Sequence, residues 1–462
     1  MTDYNYDLLI IGAGPGGYVS AIRASQLGLK TAVIEKDNPG GVCLNWGCIP
    51  SKSLISQAQK FSYLKDLENM GVSIDTGNLD YEKVYKKSRL AATKLSKGVE
   101  FLLKKNAIEL IKGTAKISGQ HQVSVDEKEY TAKNILIATG SRPKVIPGLE
   151  FDEEGILSST GALSLKSLPK SILIVGAGAI GVEFAYILSS FGVQVYLVEM
   201  LESILPQEDK DISDILLKAF KKIKVKVYTS TKASVSGKQK NIYKVKLEHQ
   251  DGKAEELEVE KILVAVGRTP NSDHLGLEEM GIKTDKDFIE TGDYYETSVP
   301  GIYAIGDVIN TPLLAHVASK EGEIAVEHMA GKGHEKRVDS TLIPGAVYTE
   351  PQVASFGYTE AKAKEAGLPV KIFVFPFRGA GKAVAIEESE GLVKLVCHEK
   401  THEILGAHIA GKDATELIHE ILLARKAELL PEDIATMIHA HPTLSEAVME
   451  AARGILGEAI HI

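Results

Sequence analysis

The chain has 462 residues, 44% hydrophobic and 25% charged, a balance that fits a globular protein with more than one core. Its net charge of −9 gives no electrostatic reason to bind nucleic acid. Apolar stretches such as residues 8–11 and 172–175 are too short to span a bilayer, and residues 1–7 lack the basic start of a signal peptide, so no membrane insertion is expected. Only 3 cysteines suit a reducing compartment, which points to the cytoplasm.

The chain opens with YDLLIIGAGPGGYVSAIRASQLGLKTAVIEK (residues 6–36), which reads as strand, tight glycine turn, helix and strand. Gly12, Gly14 and Gly17 form a GxGxxG run, and Glu35 ends the second strand. The first glycine permits the turn, the second admits a pyrophosphate close to the backbone, and the third lets the helix pack on the strand. The helix N-terminus attracts phosphate charge, and Glu35 can accept hydrogen bonds from a ribose diol. Shortly after comes GGVCLNWGCIPSK (residues 40–52), with Cys43 and Cys48. A disulfide closing so short a loop would stabilise the fold by only about 2 kcal/mol. Beside a cofactor site such a pair is better suited to be reduced and reoxidised. The competing readings are two ordinary buried thiols or half of a metal site; the latter has no second cysteine pair and no zinc-like spacing to support it, so no metal is expected.

NILIATGSRPKVIPG (residues 134–148) runs from an apolar strand into a glycine turn, then Arg and Pro. SILIVGAGAIGVEFAYILSSFGVQVYLVEM (residues 171–200) then repeats the opening pattern with Gly176, Gly178 and Gly181, and Glu199 stands at the same remove as Glu35. Two copies in strand–turn–helix–strand context predict two dinucleotide sites, where a lone GxGxxG would be weak evidence. The second copy continues Glu199, Met200, Leu201, Glu202. No arginine or lysine there neutralises a 2′-phosphate, so NAD is expected rather than NADP. KILVAVGRTPN (residues 261–271) echoes the earlier Gly-Arg-Pro turn, which inserts the second unit at about residues 147–270. The first unit resumes with GIYAIGDVINTPLLAHVASKEG (residues 301–322). There Asp307 follows a glycine turn, and its carboxylate can bond the ribityl or ribose hydroxyls of a cofactor.

From about residue 341 the pattern changes to antiparallel strands with turns through residues 347–411. One helix is predicted at residues 359–366, with others at 414–427 and 431–438, and AVAIEESEG (residues 383–391) is read among the strands. Lone Cys397 is taken as structural. In HAHPTLSEAVMEAARG (residues 439–454), His441 precedes Pro442, which favours an extended backbone. It stands before a helix that carries Glu446. A histidine oriented by a carboxylate suits acid–base work on thiols. A surface histidine at a helix start, or a metal ligand alongside His439, are the plainer alternatives for these residues alone.

Along nearly the whole chain the sequence resembles the pyridine nucleotide-disulfide oxidoreductases. The two glycine fingerprints, GGVCLNWGCIPSK, AIGD with Asp307, and HxHPTxxE from His439 to Glu446 occur in that family's order. The resemblance implies FAD, tightly bound and non-covalent, on the first unit and NAD on the second. It also implies a C-terminal domain that builds a homodimer, with His441 and Glu446 supplied across the interface. The expected fold class is α/β, with two Rossmann-like dinucleotide-binding domains, the second inserted in the first, and a C-terminal α+β dimerisation domain. The boundaries expected are 1–146 and 271–340 for the FAD domain, 147–270 for the NAD domain and 341–462 for dimerisation.

Carried over by position, Cys43 is the thiol that exchanges with substrate and Cys48 the one that contacts the flavin. Lys52 is implied near flavin N5, paired with Glu183. Ala115, Gly140, Ser141 and Ala315 are implied to lie against FAD, and Gly267 near NAD. The implied activity is oxidation of protein-bound dihydrolipoamide by NAD+ through the disulfide and FAD. Lipoyl domains of 2-oxo acid dehydrogenase or glycine cleavage complexes would be its partners. A reductase of the glutathione type is the alternative, less alike because such proteins usually prefer NADPH and tend to read CVPKK where this chain has CIPSK. Trp46 stands where the family more often has a small residue.

Overall fold

The strand Tyr6–Ile11, in a computed structural model that describes residues 4–462, is central to a 7-stranded sheet. It pairs in parallel with Thr31–Glu35 on one side and Lys128–Ile137 on the other. Leu8, Leu9 and Ile10 are wholly buried, as a parallel strand covered on both faces requires. After a long excursion the chain returns to this sheet, where Ile302–Ala304 pairs in parallel with Lys128–Ile137. A second sheet holds 5 parallel strands in the order Lys226–Tyr228, Gln194–Val198, Ser171–Val175, Lys261–Val264, Ile156–Leu157. It carries an antiparallel meander of Thr231–Gln239, Ile242–His249 and Ala254–Val259. The two Gly-Arg-Pro echoes pair with each other, Ser141–Pro143 running antiparallel to Arg268–Pro270. The repeated turn is thus the seam between the two parallel-sheet folds.

The C-terminal part is a 5-stranded antiparallel sheet in the order Gly345–Val347, Gln352–Gly357, Ile404–Gly411, Leu392–His398, Val370–Pro376. Helices Ala414–Lys426 and Ser445–Leu456 share its core. The helix expected at residues 359–366 is Glu360–Glu365, capped by Thr359, whose side chain accepts from the Lys362 N–H. Those expected further on are Ala414–Lys426 and Pro431–Thr436. The expectation for residues 383–391 needs correcting: Gly381–Ala385 forms a helical turn, and the chain then bends at Glu387, whose φ is 61°. Its alanines favour helix, and the neighbouring edge of the sheet is already taken by Val370–Pro376. Cys397 is wholly buried, and burial pushes its thiol up to about 12. No helix among the described residues is long and apolar enough to cross a membrane.

One cluster ties the second parallel-sheet fold to the C-terminal sheet. Lys394, 2% exposed, donates to Asp209 at 2.9 Å, Asp211 at 2.7 Å and Glu360 at 2.8 Å. Burial pulls the lysine pKa down, but the three carboxylates raise it overall. Burial likewise pushes Asp209 up, yet Lys394 and the Glu360 N–H hold it below the ordinary carboxylate value of 3.8. This stabilisation is present above about pH 4, where unfolded Asp209 would be ionised, and is lost as pH falls through the lower folded value. On the basic side it is lost only above the ordinary lysine value of 10.5. Lys394→Met should cost about 3 kcal/mol at pH 7 by stranding Asp209, read as a lower denaturant midpoint. The difference should shrink below pH 4; equal midpoints at pH 7 would contradict the lock.

Candidate active site

The two glycine runs fold alike. Gly12 has φ 106° and Gly176 has φ 100°, and a Cβ on either would meet the backbone of Ala138 or Ala265. A Cβ on Gly17 or Gly181 would collide with the carbonyl of Gly12 or Gly176, so helix and strand touch there. The middle glycines face space: Gly14 has only Gly41 Cα, at 4.0 Å, and Gly178 has nothing within 4 Å. They cap helices Pro15–Gln26 and Ala179–Ser190, neither of which has a side-chain cap or an acid in its first turn. Each copy therefore offers unpaired N–H groups at a positive helix end with room in front, an arrangement that fits a pyrophosphate. Glu35 accepts from the N–H groups of Ala13 and Asp37, both at 2.8 Å. Glu199 does the same with Ala177 at 2.8 Å and Leu201 at 3.0 Å. Each carboxylate braces its turn and keeps lone pairs for a diol.

The other expected contacts gather at the carboxyl ends of the parallel strands, where α/β sheets bind ligands. Gly140 and Ser141 follow Lys128–Ile137, and Asp307 follows Ile302–Ala304. Ser141 Oγ donates to Asp307 Oδ2 at 2.6 Å. Arg268, beside Gly267, donates from Nε to Ser141 Oγ and from Nη2 to Ser141 O, each at 2.6 Å, and lies 3.6 Å from Asp307. Arg268 was passed over in the sequence reading, although the echoed Gly-Arg-Pro was a signal for it. Glu321, also missed, is wholly buried and accepts from the Gly306 N–H at 2.7 Å; burial pushes its carboxyl up to about 7. Ala315 begins helix Ala315–Met329, again without a side-chain cap. Ala115 begins Ala115–Gly119, just beyond Gly113, whose N–H donates to Glu35 O at 3.1 Å.

Cys43 and Cys48 are disulfide-bonded, with Cα atoms 4.7 Å apart. Cys43 lies in helix Gly41–Trp46, and Cys48 begins helix Cys48–Ser62. Gly41 approaches Gly14 so closely that a Cβ would sit 2.7 Å from its Cα, which sets the disulfide segment against the first glycine turn. Asn45 Nδ2 donates to Gly41 O at 3.0 Å and Pro39 O at 3.1 Å, and Arg89 Nη2 donates to Asn45 O at 2.6 Å. The same guanidinium lies 4.4 Å from the Trp46 ring, so helix Tyr81–Lys105 clamps the unusual tryptophan. One turn into the Cys48 helix, Lys52 Nζ donates to Glu183 at 2.9 and 3.1 Å. Glu183 is 6% exposed in helix Ala179–Ser190.

His441 Nδ1 lies 3.0 Å from Glu446 Oε1, and Glu446 Oε2 accepts from the Thr443 N–H at 2.8 Å. Slight burial pushes Glu446 up, but the Thr443 N–H and the His441 ring hold it below the ordinary value. The His441 side chain is 77% exposed. His441 is not the only histidine paired with an acid among the described residues. His439 pairs with Glu420 at 2.8 Å and His402 with Glu432 at 3.0 Å. The His439 side chain is 3% exposed and given to Glu420, so it is not turned to a shared site with His441. Within one chain, no hydrogen bond among the described residues joins His441 to the disulfide.

The pyridine nucleotide-disulphide oxidoreductase model matches residues 6–322, and that family's dimerisation domain matches residues 343–452. The dihydrolipoyl dehydrogenase of Geobacillus stearothermophilus is 44% identical over 99% of this chain and 97% of its own length. That of Rhizobium etli is 41% identical over 99% of both. Among solved structures, LpdA of Mycobacterium tuberculosis superposes with a TM-score of 0.88 at 26% identity, covering 97% of this chain and 99% of that one. The flavoprotein disulfide reductase RclA of Escherichia coli gives 0.85 at 27% identity over 97% and 99%. With two glycine cradles, a disulfide between them and matches along nearly its full length, the chain belongs to the pyridine nucleotide-disulphide oxidoreductase family.

Proposed function

We propose that the chain oxidises protein-bound dihydrolipoyl groups with NAD+ in the cytoplasm, as a homodimer serving 2-oxo acid dehydrogenase or glycine cleavage complexes. The observation that carries this reading is the Lys52–Glu183 pair, which joins the helix of the disulfide to the second glycine cradle. Names shared by the relatives at 41% and 44% identity support the substrate. FAD would be held by Gly12, Gly14, Gly17, Glu35, Ala115, Gly140, Ser141, Asp307 and Ala315, with Lys52 at its reacting face. NAD would be held by Gly176, Gly178, Gly181, Glu199 and Gly267, with Glu183 fixing Lys52 between the two. The division of the chain at residues 147, 271 and 341 belongs to the same proposal. His441, open to solvent with Glu446 behind it and Ile438 at 96% exposure nearby in sequence, would be completed by the disulfide of a second copy.

Bound FAD supplies a two-electron relay, and bound NAD carries the hydride away. The rest falls to this chain's side chains. Glu446 accepts the His441 Nδ1–H and so leaves Nε2 free as a base. His441 takes a proton from one substrate thiol, and the thiolate attacks Cys43 Sγ. The Cys43–Cys48 bond breaks, and Cys48 leaves as a thiolate, favoured by the N-terminus of its own helix and by the positive charge of Lys52. The second substrate sulfur then displaces Cys43, closing the substrate disulfide while its proton passes to Cys43. Two electrons now reside in the cysteine pair, one proton on His441 and one on Cys43.

Two outcomes test this. His441→Ala should slow flavin reduction by dihydrolipoamide by about 10²–10⁴-fold, yet leave flavin reduction by NADH nearly unchanged in stopped flow; equal losses would remove the assigned role. NADH should exceed NADPH in kcat/KM by at least about tenfold, because Glu199 meets the ribose and no base follows it. Glu199→Ser with Met200→Arg should narrow that ratio, and an unchanged ratio would contradict the placement.

A further inference from the structure

Tyr348 follows the strand Gly345–Val347 at the start of the C-terminal sheet, and it touches both members of the Lys52–Glu183 pair. Its N–H donates to Glu183 Oε1 at 3.1 Å, and its ring centre lies 4.5 Å from Lys52 Nζ. Two residues on, Glu350 Oε2 accepts from Gln59 Nε2 at 3.1 Å. Gln59 stands two turns beyond Lys52 in the same helix. The segment therefore grips the helix that begins at Cys48 at two points. Nothing in the sequence pattern marked this residue.

We propose that Tyr348 is the positioning residue that fixes the Lys52 ammonium, and through it tunes the potential of the flavin. The inference rests on the reading above that sets Lys52 beside FAD. An ammonium is a point charge on a flexible stem with three rotatable donors. Glu183 restrains it from one side only, and the lysine side chain is still 33% exposed. The ring face of Tyr348 supplies a second, separate restraint through its quadrupole. The Tyr348 N–H in turn holds the carboxylate that Lys52 follows. Burial, followed by the charge of Glu183, raises the Tyr348 pKa, so the ring presents a neutral face to the ammonium. A charge left to swing on its stem stabilises reduced flavin less than one held in place. The C-terminal sheet thereby acts on the redox pair through one aromatic side chain.

The test uses the FAD-loaded dimer and two readouts, the flavin midpoint potential and the rate of flavin reduction by NADH. Tyr348→Leu and Tyr348→Gln should each lower the potential and slow reduction at least threefold, and either suffices if the other fails to fold. Tyr348→Phe, which keeps the ring, should restore the potential. Lys52→Met should lower it too, and adding Tyr348→Leu to that background should change it no further. An unmoved potential in Tyr348→Leu, a loss in Tyr348→Phe as large as in Tyr348→Leu, or additive losses in the double variant would each overturn the proposal. If Lys52→Met itself leaves the potential unmoved, Lys52 is not beside the flavin and both readings fall. A potential moved by Lys52→Met but not by Tyr348→Leu sinks this inference alone.

Discussion

The ion pair between Lys52 and Glu183, 2.9 Å long, is the constraint on which the rest of the site depends. Its lysine stands one turn after Cys48 and its glutamate lies inside the first helix of the second glycine cradle. A pair half shielded from water returns little net stability, because desolvation offsets most of the attraction. Its value lies in placement: it holds a positive charge where the disulfide helix meets the second fold. Tyr348 adds a third side to that charge from the C-terminal sheet. All three parts of the chain therefore meet at one ammonium group.

Two close backbone approaches make that meeting possible. Gly41 lies against Gly14, which lets the disulfide segment rest on the first glycine turn. The paired Gly-Arg-Pro turns join the two nucleotide folds, and Arg268 crosses the seam to Ser141 and approaches Asp307. Away from this centre, the Lys394 cluster fixes the second fold to the C-terminal sheet. The segments that carry the disulfide and the two glycine cradles are thus held together by contacts between parts of the chain that are distant in sequence.

Much of this was legible because backbone constraints leave marks on residue type. A turn at φ 106° or a helix touching a strand leaves room only for glycine, so the two cradles could be read directly. The cysteine pair and the acids closing each second strand were legible for similar reasons of local spacing. Ser141 and Asp307 were identified singly, but their hydrogen bond is a matter of strand order. Arg268, Glu321 and Tyr348 left little trace, since an arginine, a glutamate or a tyrosine means nothing until its partner is known. The alanines of Gly381–Ala385 misled because short apolar runs suit a strand and a helical turn equally. His441 could be singled out by Pro442 and by its spacing to Glu446, but the seclusion of the His439 side chain could not, because it depends on how Glu420 is packed.

In the proposed reaction the disulfide, FAD and NAD act in series on a dihydrolipoyl substrate. The most direct test is NADH formation by the purified protein given dihydrolipoamide and NAD+, with NADP+ and reduced glutathione as controls. Strong NADH formation with dihydrolipoamide and NAD+, and little in either control, is the result expected. No turnover with dihydrolipoamide, alongside thiol-disulfide chemistry with another substrate, would keep the family and contradict the assigned reaction.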